Sequence, residues 1–417
     1  MKRLILLNLV LVLLLSSCSV ITSSQAYVDG QPVDAPPTPE EVLDPVVTDS
    51  PTEEPVLDDL PIPVETGDYQ TGGFYQNWIA FEDPNTNIAL VNPVTGEIKP
   101  VTQNASSVIK TGEDAQTIQF SQPAWSSDGE FLAFKQFILT QKIEHLDVVM
   151  NLWVYDPASE TSWIVLEGEK LSDFSWIPGS HSISYTLQVE PGYFTDRIEV
   201  DESLAHGVMQ VDVKSGEISE LVAPQGFSLV RPNWAPDGSI ISFDEVHLME
   251  GRGNFAWFDV STSTYHRFER QIGNYSWSPG ADVLAYDMLT YIPSGEERIM
   301  ISDRMGDQEE LFSSSIEEGS FAFYPRFSPN GAQLAYVVGF GSIDQVDKYQ
   351  LMVQAVDSSE ASIMLEGKQI ETYSWSGDGS FLAASLGFYG SSDIVIIDVL
   401  NGTSTVVAQG WNPVWQE

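Results

Sequence analysis

The chain reads as an all-β protein. The expected fold is a seven-bladed β-propeller of four-stranded blades, its ring closed by the C-terminal strand, after a disordered tether. Three observations predict this. A Trp-Ser-Pro-Asp-Gly-like turn recurs six times from Trp125 onward, each time before a short apolar strand. An apolar strand ending in or just before Asp follows each of them. The leading strand that the first unit lacks reappears as the last segment of the chain.

The elements follow in order. Met1-Lys2-Arg3 is a short basic start, Leu4 to Leu15 is apolar apart from Asn8, and Ser16-Ser17-Cys18 follows. A charged start, an apolar run of about a dozen residues and a small-residue zone make a secretory signal over residues 1–17. The run is short of the roughly 20 residues that a membrane-spanning helix needs. Leu15-Ser16-Ser17-Cys18 resembles the lipobox of bacterial lipoproteins, in which the Cys is acylated and becomes the first mature residue. Cys18 is the only Cys of the chain. The resemblance implies a lipid attachment at Cys18, a membrane partner through that anchor, and an extracytoplasmic location in the cell envelope.

Residues 18–68 are expected to be a tether. Residues 19–68 hold 12 acidic residues, no Lys or Arg, and Pro at 32, 36, 37, 39, 45, 51, 55, 61 and 63. Such a segment buries too little apolar surface to fold, and Pro with like charges keeps it extended.

Residues 69–417 are expected to be the propeller. The turn signature reads Trp125-Ser-Ser-Asp-Gly129, Trp176-Ile-Pro-Gly179, Trp234-Ala-Pro-Asp-Gly238, Trp277-Ser-Pro-Gly280, Phe327-Ser-Pro-Asn-Gly331 and Trp375-Ser-Gly-Asp-Gly379. Pro presets φ, Asp bonds its own backbone and Gly supplies φ > 0. The following strands include Phe131-Leu-Ala-Phe134, Ile240-Ile-Ser-Phe243 and Val283-Leu-Ala-Tyr286. The Asp-ended strands include Leu152-Trp-Val-Tyr-Asp156, Val208-Met-Gln-Val-Asp212, Phe255-Ala-Trp-Phe-Asp259 and Ile394-Val-Ile-Ile-Asp398. Ile88-Ala-Leu-Val-Asn92 is a seventh instance, and Asn412-Pro-Val-Trp415 matches Gln122-Pro-Ala-Trp125. A large aromatic before each turn suits the wedge between blades. Radial repetition then leaves only short sheet edges. These motifs resemble the WD-like propeller repeat of the TolB type, which implies the fold from about residue 74 onward and says little about function.

Composition narrows the chemistry. With 18 Lys+Arg against 60 Asp+Glu the formal net charge is −42, and the propeller alone keeps −32. Such a surface repels nucleic acid and favours a cationic partner. One Cys excludes an intrachain disulfide and a Cys-built zinc or iron–sulfur site. The sequence contains no Gly-x-Ser-x-Gly, no phosphate-cradling Gly-rich loop and no His-Glu-x-x-His. No cofactor is expected. The Asp-Gly turns lack the alternating carboxylates of a calcium loop.

Three histidines stand out. His145, His206 and His247 fall between the second and third strands of blades two, three and four, within insertions at about 137–150, 188–207 and 246–254. Those insertions carry Tyr193, Arg197, His206, His247 and Arg252 as candidate ligand-binding residues. Three imidazoles on one face could hold a divalent metal. His181 lies in a tight turn and His266 in a strand, and both read as structural. The expectation is therefore a monomeric, lipid-anchored propeller that catalyses nothing and binds a protein or other envelope component. The alternative is a metal-assisted lyase or hydrolase acting on polysaccharide at the central opening. The two differ in whether the three histidines converge.

Overall fold

The computed structural model describes residues 77–416 apart from 144, 169, 191–192, 194–199, 247–252, 269–271, 289–297, 314–319 and 343–344. The expected signal segment, Cys18 and the expected tether lie outside the described residues. The described residues form seven four-stranded antiparallel blades. Blade one holds β1 (Ile79–Glu82), β2 (Ile88–Val91) and β3 (Ile98–Pro100). Blade two holds β4 (Gln116–Trp125), β5 (Leu132–Gln141), β6 (Leu146–Asp156) and β7 (Thr161–Leu166). Blade three holds β8 (Leu171–Trp176), β9 (Ser182–Leu187), β10 (Val208–Asp212) and β11 (Ile218–Val222). Blade four holds β12 (Ser228–Trp234), β13 (Ile240–Val246), β14 (Phe255–Asp259) and β15 (Thr264–Arg267). Blade five holds β16 (Ile272–Trp277), β17 (Val283–Met288), β18 (Ile299–Asp303) and β19 (Glu309–Leu311). Blade six holds β20 (Ser320–Phe327), β21 (Gln333–Ser342), β22 (Gln345–Ala355) and β23 (Ala361–Gly367). Blade seven holds β24 (Ile370–Trp375), β25 (Phe381–Leu386), β26 (Asp393–Asp398) and β27 (Thr403–Gln409), and β28 (Trp411–Trp415) returns to pair with β1.

The turn chemistry works as the sequence implies. In blade two, Ser126 Oγ donates to Asp128 Oδ1 (2.7 Å), Glu130 N donates to the same oxygen (3.0 Å), and Gly129 takes φ +69°. Blade seven repeats the bond from Ser376 Oγ to Asp378 Oδ1 at 2.8 Å. Each turn aims a signature aromatic into the wedge between blades. Trp125 Nε1 donates to Val414 O (3.2 Å), Trp176 Nε1 to Ala124 O (2.9 Å) and Trp375 Nε1 to Arg326 O (3.1 Å). In blades four and five the acceptor is a serine hydroxyl, Ser184 for Trp234 (2.9 Å) and Ser242 for Trp277 (3.1 Å). A buried plate thereby packs without leaving its one polar atom unsatisfied. The core is spread between blades. Leu351 and Val353 of blade six, for example, pack with Trp375, Leu382 and Val395 of blade seven.

The first strand of each blade surrounds the axis. Neighbouring first strands meet directly, as when Phe327 N donates to Ser276 Oγ (3.1 Å) and Trp415 N to Ser374 Oγ (3.3 Å). The ring closes at β28, where Ile79 pairs with Trp415 and Ala80 with Val414.

One expected loop is a strand pair. Residues 137–141 and 146–150 continue β5 and β6, with Phe137 opposite Met150 and Gln141 opposite Leu146. The reason is local: Ile138-Leu-Thr140 and Asp147-Val-Val149 are rich in residues that suit a pleated surface.

Candidate active site beside the 387–392 loop

Every first strand bulges near its middle, and at four of the bulges a non-glycine residue takes positive φ. They are Gln122 (58°), Arg231 (56°), Tyr324 (57°) and Asn412 (51°), each followed by Pro. The bulges turn polar groups toward the ends of the second strands. Glu82, at the end of β1, accepts from Trp411 Nε1 (2.6 Å), Asn412 Nδ2 (2.6 Å) and Gln122 N (2.9 Å). Lys135 Nζ meets Asp173 Oδ1 at 3.4 Å, and Arg231 Nε donates to Asp244 Oδ2 at 2.6 Å. Asp287 accepts from Asn274 N (2.8 Å) and from Tyr324 N of the next blade (3.0 Å). This collar of charges is tied up in holding adjacent blades together. Burial pushes the Glu82 carboxyl up to about 7, against those hydrogen bonds, which pull the other way.

One carboxyl near the collar is different. Glu371, at the start of β24, is half-buried and, among the described residues, meets a single side-chain donor, Gln369 Nε2 at 3.1 Å. Burial pushes its carboxyl up, and Gln369 only partly offsets this. The β25–β26 loop (387–392) lies beside it. Gly387 N donates to Gln369 O (3.0 Å) and Gly410 N to Ser392 O (2.9 Å), so the loop is fastened to the starts of β24 and β28. Gly387 (φ +123°) and Gly390 (φ +82°) bracket Phe388 and Tyr389. A Cβ on Gly387 would come within 3.1 Å of Ser392 Cα, so this tight return needs glycine. Phe388 is 58% exposed, and the Tyr389 ring leans on Trp411 at 4.1 Å between centroids. The Tyr389 phenol is held protonated by burial first, then by the nearby carboxyls Glu82 and Glu371. Burial and Glu371 act likewise on Tyr349 of β22. Glu371 thus lies close to tyrosines of blades six and seven, beside exposed aromatic surface. A half-buried carboxyl with raised proton affinity can shuttle protons, and aromatic rings offer a face for stacking.

The expected site residues are placed as follows. His145 is exposed, with Nε2 3.0 Å from Asp147 Oδ1. His206 lies 3.6 Å from Glu190 Oε1 and is bound through its backbone to β12, since Leu229 N donates to His206 O (2.8 Å). Both occupy the same face of the ring as the 387–392 loop, yet they lie beside different carboxylates: Glu190 is bonded to Lys170 (3.0 Å), and among the described residues His206 Nε2 is buried without a hydrogen-bond partner. His247, Arg197 and Arg252 lie outside the described residues. Tyr193 is fully buried. Its hydroxyl donates to Val246 O (2.8 Å) and accepts from Ser228 N (2.9 Å), so it staples its insertion to blade four. His266 stacks on Trp257 at 3.9 Å within β15. Among the described residues the metal-competent grouping is Asp128, Glu130 and His181, at the turns of the opposite face. Sequence reasoning passed over Glu371, Phe388 and Tyr389. The available signal was a pair of large aromatics set between two glycines in a short loop.

No family model matches the chain. A curated relative, the uncharacterised peptidase YuxL of Bacillus subtilis (strain 168), is 25% identical over 242 residues, 57% of this chain. The chain spans 32% of that protein's length. Among solved structures, oligogalacturonate lyase in complex with manganese aligns with a TM-score of 0.56 at 13% identity, over 80% of this chain and 84% of its own. TolB from Acinetobacter baumannii aligns with a TM-score of 0.45 at 14% identity, over 72% of this chain and 82% of its own. At 13% identity the likeness to oligogalacturonate lyase is one of fold alone. The expectation that it catalyses nothing is corrected by the names of its relatives, a peptidase and a lyase. That expectation rested on missing nucleophile and metal motifs. Glu371 of β24 and Tyr389 of the β25–β26 loop both belong to blade seven, but they lie too far apart along the chain to form a recognisable motif.

Proposed function

We propose that the chain is a hydrolase acting on polysaccharide at the mouth of its central channel, held outside the cytoplasmic membrane by acylated Cys18. The observation that carries this reading is Glu371, a half-buried carboxyl with one side-chain donor beside exposed Phe388 and the Tyr389–Trp411 pair. In this reading Glu371 takes a proton from water as the water attacks the anomeric carbon. The glycosidic C–O bond breaks, and the leaving oxygen takes the Tyr389 proton. A phenol held neutral still suits that role, because a sugar alkoxide is more basic. Phe388 supplies a stacking face for a sugar ring.

Charge selects among polysaccharides. Glu371 and Glu82 flank this corner, and the whole chain carries −42. An acidic glycan would be repelled, so a neutral or amino-sugar polymer fits better than a uronate. Elimination draws on a uronate carboxylate to acidify the proton removed, so the same charge argument favours hydrolysis over a lyase reaction. The test is release of reducing ends from neutral and amino-sugar polysaccharides, with uronate polymers and peptides run alongside. Cleavage confined to uronates or peptides would refute the substrate class.

A further inference from the structure

We infer that Asp128, Glu130 and His181 form a site for a divalent transition metal, bridging blades two and three on the face opposite the aromatic corner. The β4–β5 and β8–β9 turns are docked there, with Gly179 N donating to Ser127 Oγ at 2.9 Å. His181 Nε2 lies 2.8 Å from Asp128 Oδ2 and 3.3 Å from Glu130 Oε2. All three donor atoms fall within 4.8 Å of one another.

Three features favour a metal over a chance surface contact. First, the donor set mixes imidazole with two carboxylates, which suits zinc or manganese better than calcium or magnesium. Second, two of the three ligands are held in place before any ion arrives. Asp128 Oδ1 is occupied by Ser126 Oγ and Glu130 N, which leaves Oδ2 facing the histidine, and the His181 ring sits edge-on to Phe131 at 4.8 Å. Third, charge is uncompensated: among the described residues neither carboxylate has a Lys or Arg partner, and Lys214 is drawn instead over the Phe131 ring at 5.2 Å. Bonds of about 2.0–2.1 Å in tetrahedral geometry set neighbouring ligands roughly 3.3 Å apart. The two histidine spacings lie within about half an ångström of that value, while the two carboxylates, up to 4.8 Å apart, would have to draw together by roughly 1.5 Å, a movement the exposed Glu130 side chain allows. Three protein ligands leave a position for water, so the ion would clamp two blades.

The test is zinc and manganese titration of the full chain, followed by calorimetry and melting temperature, beside His181→Gln and Glu130→Gln. Calcium reports the background that so acidic a chain gives any cation. The expected result is one saturable equivalent of zinc that raises the wild-type melting temperature, with affinity at least tenfold weaker in each variant. Glu130 is exposed, so its variant remains informative even if the histidine change disturbs the turn. Absence of saturable binding, or equal shifts in wild type and both variants, would overturn the site. The contact would then be a hydrogen bond between the imidazole and the Asp128 carboxylate, with Glu130 alongside.

Discussion

Trp125 Nε1 donates to the carbonyl oxygen of Val414, 289 positions further along the chain. The bond crosses the seam at which the ring closes. Gln416 fastens the same seam twice, since Trp78 N donates to its Oε1 (3.1 Å) and its own N donates to Trp78 O (2.9 Å). Closure is thus made by side chains and ladder bonds from the last few residues.

Removing Trp411 to Glu417 should strip the first strand from blade one. Trp411 and Trp415 are 3% and 2% exposed. Truncating one such buried Trp costs about 3–5 kcal/mol, so the deletion should lower the melting temperature steeply. An unchanged melt would show that the seam contributes little.

Glu82 should make stability depend on pH. Its folded-state pKa is about 7 against 4.5 for the free side chain. The folded state therefore binds the proton more tightly, and its contribution is fully present below about 4.5. That contribution is lost as pH rises through 7. The difference is on the order of 3 kcal/mol. Denaturant melts of wild type and Glu82→Gln between pH 4 and 8.5 should diverge in shape, with the Gln variant flatter. Parallel profiles would mean that Glu82 does not titrate in this range.

Cys18→Ala should leave the protein unprocessed or release it from the membrane fraction. Maturation and partitioning identical to wild type would exclude the lipid attachment.

The ring was legible because its determinants are local and repeated. Trp125-Ser-Ser-Asp-Gly129 specifies its own turn, and the apolar strand behind it needs no distant information. The corner at Glu371 is of another kind. Its proximity to Tyr349 is created when blades six and seven pack, and its proximity to Tyr389 when β25 pairs back along β24 and the 387–392 loop is tied to Gln369, so nothing adjacent to Glu371 in the sequence announces it. Tyr193 misled for a related reason. An aromatic in a polar insertion looks like a ligand contact, but this one is spent on Val246 and Ser228. His145 and His206 share a face by topology, and sharing a face does not bring two side chains together.

Glu371→Gln keeps the shape of the half-buried side chain and removes its proton exchange. The most direct measurement is the rate of reducing-end release from a neutral or amino-sugar polysaccharide by wild type and this variant, with melting temperatures compared. We expect a loss of about 10²–10⁴-fold in kcat with the melt unchanged or slightly raised. Wild-type activity should also fall as acid protonates the carboxyl. A Glu371→Gln protein that cleaves as fast as wild type, or a wild type that releases no reducing ends from either polymer class, would contradict the hydrolase proposal.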